Sequence, residues 1–338
     1  MPAARTTEGE VGAPGGVTLP AEVQGDLRAI EDSLLRFHAR HATRIGDAAR
    51  HLLDAGGKRL RPLLTCAVVR ALGGDPRPSI DVVAAVELVH AGSLLHDDVI
   101  DGAELRRGRS SVHAAFDAHT AILAGDFLFS WAFDRLAREG SRELQVAMGD
   151  AIRALCEGEV LERERRFDPD TDLDHARLVN RLKTAELFAY AAEAGALLAG
   201  ADGPRRAAAR EYGLALGEVF QTVDDLLDWE GDPGAVGKPL GRDLAEGLLT
   251  VPVTLAAERD PGLRDDVRAY WERRRVAPEA DGAAAVRLRL DAAGAFAAAR
   301  ELADRDAARA AAAAGSLPVG PWRERLCEAA RRAVARDR

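Results

Sequence analysis

Apolar residues recur along this chain at intervals of three and four. In 82–95 (VVAAVELVHAGSLL) and 212–229 (YGLALGEVFQTVDDLLDW) the apolar face is broad, the pattern of a helix buried between other helices. Alternating runs of β-branched residues bounded by turns, the mark of strands, are missing. From about residue 21 onward Ala, Leu, Arg and Glu dominate, all strong helix formers. Gly and Pro punctuate the pattern at Gly56–Gly57, Gly73–Pro78, Gly102–Gly108, Gly140, Asp168–Thr171, Gly200–Pro204, Gly231–Gly241 and Pro261. Between these breaks lie roughly ten helical segments. No short repeat is visible.

The reading is an all-α fold, a helical bundle. One domain spans 21–338, behind a flexible tail at 1–20 rich in Gly, Pro, Ala and Thr. Bundles build their sites from side chains on facing helices. Residues 276–315 are Ala-rich, and Arg273–Arg275 and the Arg332–Arg338 segment look like solvated faces.

Composition narrows the classes. The chain has 338 residues, of which 47% are hydrophobic and 30% charged, so a large core is available and global disorder is excluded. A net charge of −9 argues against a protein that coats nucleic acid. No stretch of about 18 uninterrupted apolar residues occurs, so no membrane anchor is expected. The first twenty residues lack the apolar core of a secretory signal. Cys66, Cys156 and Cys327 are odd in number, widely spaced and outside any CxxC pattern. They read as small buried hydrophobes in a reducing, cytoplasmic setting.

The chemistry lies in two acidic clusters. His96-Asp97-Asp98-Val99-Ile100-Asp101 places Asp97 and Asp101 on one helix face with Asp98 at its border. Asp224-Asp225-Leu226-Leu227-Asp228 repeats the spacing 127 residues later, with Gln221 one turn earlier on the same face. A lone cluster could be a solvated acidic face. Two copies, each at the end of a strongly apolar helix, point to facing patches. Like charges so close repel unless a cation sits among them. Oxygen-only ligands favour Mg²⁺ or Mn²⁺, which accept phosphate oxygens in their remaining positions.

Cations lie nearby. Lys58 and Arg61 flank a helix start after Gly56–Gly57, a setting suited to anions. Arg106, Arg107 and Arg109 follow the first cluster, and arginine binds phosphate bidentately. Lys183 and Thr184 lie mid-helix, Lys238 follows the second cluster, and His90 precedes Asp97 by two turns. Each alone has an ordinary reading: a basic turn, a salt-bridge partner, a solvated lysine, a core histidine.

Taken together the pieces resemble the trans-isoprenyl diphosphate synthases, the polyprenyl synthetase family. The motifs are GGKRLRP (56–62), LLHDDVIDGAELRRGRSSVH (94–113), GDFLFSWAF (125–133), EGEVLE (157–162), KTAELF (183–188) and FQTVDDLLDWEGDPGAVGKPLGRDLAEG (220–247), spanning about 30 to 260. The resemblance implies an all-α isoprenoid synthase-type helical bundle around a central cavity, a homodimer, and Mg²⁺-dependent head-to-tail prenyl transfer between isopentenyl diphosphate and an allylic prenyl diphosphate. It implies three Mg²⁺ held by Asp97, Asp98, Asp101, Asp224, Asp225 and Asp228. Arg106, Lys183, Thr184, Gln221 and Lys238 match contacts to the allylic diphosphate. Lys58, Arg61, His90 and Arg107 match the isopentenyl diphosphate pocket. The chain departs from the pattern at Leu248, where the family often has Lys, and at Glu162, where many members carry Gln.

Gly92 and Ser93, about one turn before Asp97, are small where bulky residues in the family go with short products. They point to a product beyond C20, with helix packing as the other reading of Gly92 and a short-chain farnesyl or geranylgeranyl diphosphate synthase as the alternative. Three rivals are weaker. A terpene cyclase usually alters the second acidic motif, a non-catalytic partner subunit degrades both, and a Ca²⁺ module needs a loop this chain lacks.

Overall fold

In the computed structural model, residues 20–36, 43–230, 240–277 and 282–335 are described. Apart from Pro20, the expected tail lies outside them, as does Lys238.

The chain is helical almost throughout, as the periodicity predicts. The helices are α1 (Ala21–Leu35), α2 (Arg44–Leu53), α3 (Leu60–Ala71), α4 (Ile80–Ile100), α5 (Val112–Ala115), α6 (Ala118–Glu139), α7 (Arg142–Glu164), α8 (Leu173–Asn180), α9 (Glu186–Leu198) and α10 (Gly203–Glu230). They continue as α11 (Arg242–Ala245), α12 (Val251–Arg259), α13 (Leu263–Val276), α14 (Ala283–Ala292), α15 (Ala295–Gly315) and α16 (Pro321–Val334). These outnumber the segments expected because local breaks split the long ones. A π-helical turn, Arg181–Ala185, separates α8 from α9, and Gly294 (φ 65°) separates α14 from α15.

Several starts are fixed by side-chain caps. Asp117 accepts from Thr120 N–H (2.7 Å), Asp172 from His175 N–H (2.8 Å) and Ser141 from Leu144 N–H (3.3 Å). Each cap is worth about 1 kcal/mol.

The apolar stripe of α4 is the centre of the larger core. Val83, Ala84, Ala85, Leu88, Val89 and Leu95 are fully enclosed, and α4 packs most extensively on α6. The helix from Arg77 to Ile100 is long and apolar enough to cross a membrane, yet 61% of its most apolar window is buried inside the protein. It reads as a core helix. A second apolar cluster lies under α11–α15, where Trp229, Leu244, Val251, Leu263 and Leu290 meet. α10 contributes to both clusters, Val223 to the first and Leu226 and Trp229 to the second, so its acidic motif sits where they join.

Two expectations are corrected. A short hairpin, Leu105–Arg106 (β1) with Arg109–Ser110 (β2), interrupts the helical pattern. Its turn residues Arg107 (φ 52°) and Gly108 (φ 75°) are both left-handed, the geometry that suits a two-residue hairpin loop. Of the cysteines only Cys66 is fully buried, its thiol pushed up to about 12 by burial; Cys327 is half-buried and Cys156 is exposed. The Ala-rich stretch forms α14 and α15, its small side chains allowing α15 to lie close along α10.

Candidate active site

The first acidic motif closes α4. Asp98 is buried, and Arg106, carried back by the hairpin, donates to its Oδ1 through Nε (2.9 Å) and Nη2. Its Oδ2 is enclosed without a partner. Asp97 is pushed up to about 7, first by burial; Lys183 opposes this, and Glu159 and Asp101 add to it. Asp101 forms the C-cap of α4 and faces Arg166 Nη1 at 3.5 Å. Arg166 Nε also donates to the Glu246 carbonyl (2.6 Å), so it links the end of α4 to the end of α11.

The second motif lies one turn from the end of α10. Asp225 is buried and fully engaged: Gln221 Nε2 donates to Oδ1 (3.0 Å), and Asn180 Nδ2 (3.1 Å) and Val251 N–H (3.3 Å) donate to Oδ2. Burial raises it to about 6 against the pull of these donors. Asp228 accepts from the N–H groups of Arg242 and Asp243 (both 3.2 Å), fixing α11 beside the motif. Asp243 is half-buried there and is driven well above the usual carboxylate range, first by desolvation and then by Asp228 and Asp225. Asp224 is exposed and acts electrostatically on Arg61.

Between the motifs stands Lys183, on the π-helical turn rather than in a regular helix. Such turns are frequent at functional sites because they re-aim a side chain without ending the helix. The turn approaches α7 so closely that a Cβ at Gly158 would meet Lys183 Cγ at 2.8 Å. Lys183 Nζ lies 2.6 Å from both Glu159 and Glu162, which hold it charged despite its burial. The Glu162 departure therefore adds a second carboxylate to this lysine. Thr184 Oγ1 donates to Gln221 Oε1 (2.7 Å), so Thr184 and Gln221 form a relay ending on Asp225.

A cavity of ≈ 200 Å³ brings these parts together. Asp101 from the first motif, Asp225 from the second, and Asp243, Glu162 and Lys183 all line it. Among the described residues no three His, Cys, Asp or Glu side chains form a ready-made ion site. Mg²⁺ takes one or two carboxylates and completes its shell with water and phosphate. The unpartnered Asp98 Oδ2 is an enclosed acceptor that a cation would satisfy. The oxygen-only donor set fits the ion the sequence implied.

Of the second basic group the structure brings Arg61, His90 and Arg107 near one another and adds Arg59. Lys58 is exposed just before α3, not on it, and Arg61 lies in the first turn of α3. The Arg61 guanidinium stacks over Phe188 at 4.5 Å, with Nε enclosed and unpartnered. Burial lowers it to about 10. Burial and then Arg61, Arg107, Arg106 and Arg59 push His90 well below its usual value, so this ring is neutral amid arginines. Arg59 was not singled out from sequence. It starts α3 in a left-handed conformation (φ 48°) and is buried on Glu31 (2.7 Å), Glu87 (2.9 Å) and the Leu53 carbonyl (3.0 Å). His90 is thus a half-buried, neutral base among arginines, and the nearby Arg61 is an under-satisfied guanidinium.

At the small residues, the packing alternative applies to Gly92. A Cβ there would meet Phe129 Cε1 at 3.0 Å and the Gly125 carbonyl at 3.1 Å, so Gly92 lies in the contact of α4 with α6 and opens no space itself. Ser93 is half-buried and donates to the His90 carbonyl (2.9 Å).

Glu159, Arg166, His175, Asn180 and Asp243 join the site without having been singled out. Asp243 and Glu159 lie inside quoted motifs and were legible there. The others carry no local signal, because their partners are distant in sequence.

Comparison with known proteins agrees with this geometry. The model of the polyprenyl synthetase family matches residues 42–287. The octaprenyl diphosphate synthase of Escherichia coli (strain K12) is 33% identical over 318 residues, covering 93% of this chain and 96% of the relative. A short chain isoprenyl diphosphate synthase of Methanothermobacter thermautotrophicus is 42% identical over 218 residues, covering 63% and 66%. The crystal structure of a decaprenyl diphosphate synthase from Rhodobacter capsulatus superposes with a TM-score of 0.83 at 34% identity, covering 94% of this chain and 98% of that one. With an acid-lined cavity, a lysine between its motifs and a family match across most of its length, this chain belongs to the polyprenyl synthetase family.

Proposed function

We propose that this prenyltransferase condenses isopentenyl diphosphate head to tail (1'-4) with allylic diphosphates, with Mg²⁺, to give a trans-polyprenyl diphosphate longer than C20. The observation that carries the reading is the cavity lined by Asp101, Asp225 and Lys183, with a separate group of arginines, Arg61 and Arg107 among them, gathered around His90. Two anionic substrates need two such places.

Asp97, Asp101, Asp224 and Asp228 are the acids we assign to the ions, three in number, with Mn²⁺ able to substitute. Asp98 and Asp225 are held by protein donors and position the others. When bound, Mg²⁺ neutralises charge on the departing diphosphate. Lys183 and Arg106 share that charge, with Lys238 assigned to the same task. Lys58, Arg61 and Arg107 hold isopentenyl diphosphate beside the allylic carbon. The allylic C–O bond breaks, the double bond of isopentenyl diphosphate attacks the cation to form the new C–C bond, and a proton leaves to the released diphosphate. Phe188, stacked on Phe220 with ring centroids 5.1 Å apart, keeps water from the cation.

The length assignment draws on the octaprenyl and decaprenyl relatives, which align over nearly the whole chain, and on the small Ser93. We also propose a cytoplasmic homodimer without a membrane anchor. Ile122 and Leu123 on α6 and Val146 and Val160 on α7 are exposed by 43–56% and supply apolar surface for a second copy.

The test is a product assay with labelled isopentenyl diphosphate, Mg²⁺ and separate C5, C10, C15 and C20 primers. Chains beyond C20 are expected. A stop at C15 or C20 retains the enzyme class and rejects the long product. No condensation with any primer rejects the stand-alone enzyme and points to a missing partner subunit.

A further inference from the structure

The cavity between the motifs has one wall to which the proposed reaction gives no role. Thr171, His175, Leu248, Leu249 and Thr250 form it, from the loop before α8, from α8 and from the segment before α12. Two polar atoms on this wall, His175 Nε2 and Thr250 Oγ1, are enclosed without a hydrogen-bond partner. The other side-chain donors of the cavity are committed. Lys183 sits on Glu159 and Glu162, Arg165 donates to Asp168 (2.5 Å), and Asn180 and Gln221 donate to Asp225.

An enclosed donor without a partner carries its full desolvation cost, which a ligand oxygen would remove. Leu248 offers no donor on this wall, and a lysine at that position would have supplied one. α8 is well placed to replace it: its N-terminus is capped by Asp172, whose side chain accepts from the His175 N–H, and it packs on α12, which follows Thr250 directly.

We propose that His175 is a diphosphate-binding residue, its Nε2–H donating with Thr250 Oγ1 to a phosphate oxygen in this cavity, in place of the ammonium that Leu248 lacks. This rests on the prenyl-transfer reading, because the anion is the diphosphate of the allylic substrate.

The test is calorimetric binding of inorganic pyrophosphate in the presence of Mg²⁺, with circular dichroism melting as the check on folding. H175A weakens binding about tenfold, as expected for a lost hydrogen bond to a charged group. H175Q, whose amide reaches the position of Nε2, stays within about threefold of the original protein, whereas H175N, whose amide is too short, does not. L248K in the H175A background recovers most of the loss. K183A is the control and weakens binding whatever position 175 does. If H175A fails to fold, the Gln and Asn variants decide. Equal pyrophosphate affinity in the original protein and the His175 variants, with K183A weakened, overturns this assignment alone. An original protein that neither binds pyrophosphate nor condenses any primer overturns the prenyl-transfer reading beneath it.

Discussion

The two acidic motifs share one spacing and differ in what holds them. In the first, the middle acid Asp98 is buried against a charged partner, Arg106, and keeps one oxygen unpartnered. In the second, the middle acid Asp225 is buried among three neutral donors that engage both oxygens. The last acids differ as well: Asp101 faces an arginine side chain across the site, while Asp228 fixes two backbone N–H groups of α11. Identical spacing puts acids on one helix face, but the neighbouring elements decide which of them is a structural anchor and by what chemistry. The first motif is anchored by charge and so is sensitive to charge removal. The second is anchored by a neutral network and tolerates loss of one member better.

The largest expected effect comes from the charged anchor. Arg106→Ala leaves Asp98 buried without its counter-charge and should cost about 3 kcal/mol of folding stability, read by urea denaturation. A loss below about 1 kcal/mol would remove the distinction between the motifs.

Next is pH. Asp97 is raised to about 7 in the fold, above its unfolded value near 3.8, so the folded chain holds this proton more tightly. The associated stability is complete below about pH 4 and is lost as pH rises to about 7. In chelator, melting temperature should therefore fall across that window, and Asp97→Asn should flatten the fall. Added Mg²⁺ should flatten it too, by favouring the carboxylate. A slope unchanged in Asp97→Asn would assign the pH dependence to another group, with Asp225 and Asp243 next in line.

Asn180→Ala removes one of three donors to Asp225 and should cost about 1–2 kcal/mol, less than Arg106→Ala. Equal costs would mean that the neutral network is as indispensable as the charged pair. The smallest effect is expected at Arg166, half-buried and 3.5 Å from Asp101. Arg166→Ala should change stability by less than about 1 kcal/mol and should raise KM for the allylic substrate more than it lowers kcat. A fall in kcat alone would place Arg166 in the chemical step instead.

Much of this protein was legible without coordinates. The helical period over 82–95 and 212–229, the absence of strand patterning and the repeated acidic spacing are local properties, set by residues within a few turns of one another. Lys58, Arg61, His90, Arg106, Arg107, Lys183, Thr184 and Gln221 were recognisable because their motifs are contiguous. The hairpin was not, because its signal is only the Arg107–Gly108 pair inside a basic run. The π-helical turn was hidden too, since 181–185 reads as ordinary helix and its form depends on how closely it approaches α7 at Gly158.

The sequence by itself determined the fold class, the end of each helix on which the acids sit, and the kinds of charge brought to the site. Only the tertiary structure decided that Asp225 is saturated while Asp98 is not, that Gly92 lies in a helix contact, and that His175, Arg166 and Asp243 belong to the site. The physical reason is distance along the chain. Asn180 reaches Asp225 across 45 residues and Arg166 reaches the Glu246 carbonyl across 80, and no local pattern records contacts that exist only once the helices have packed.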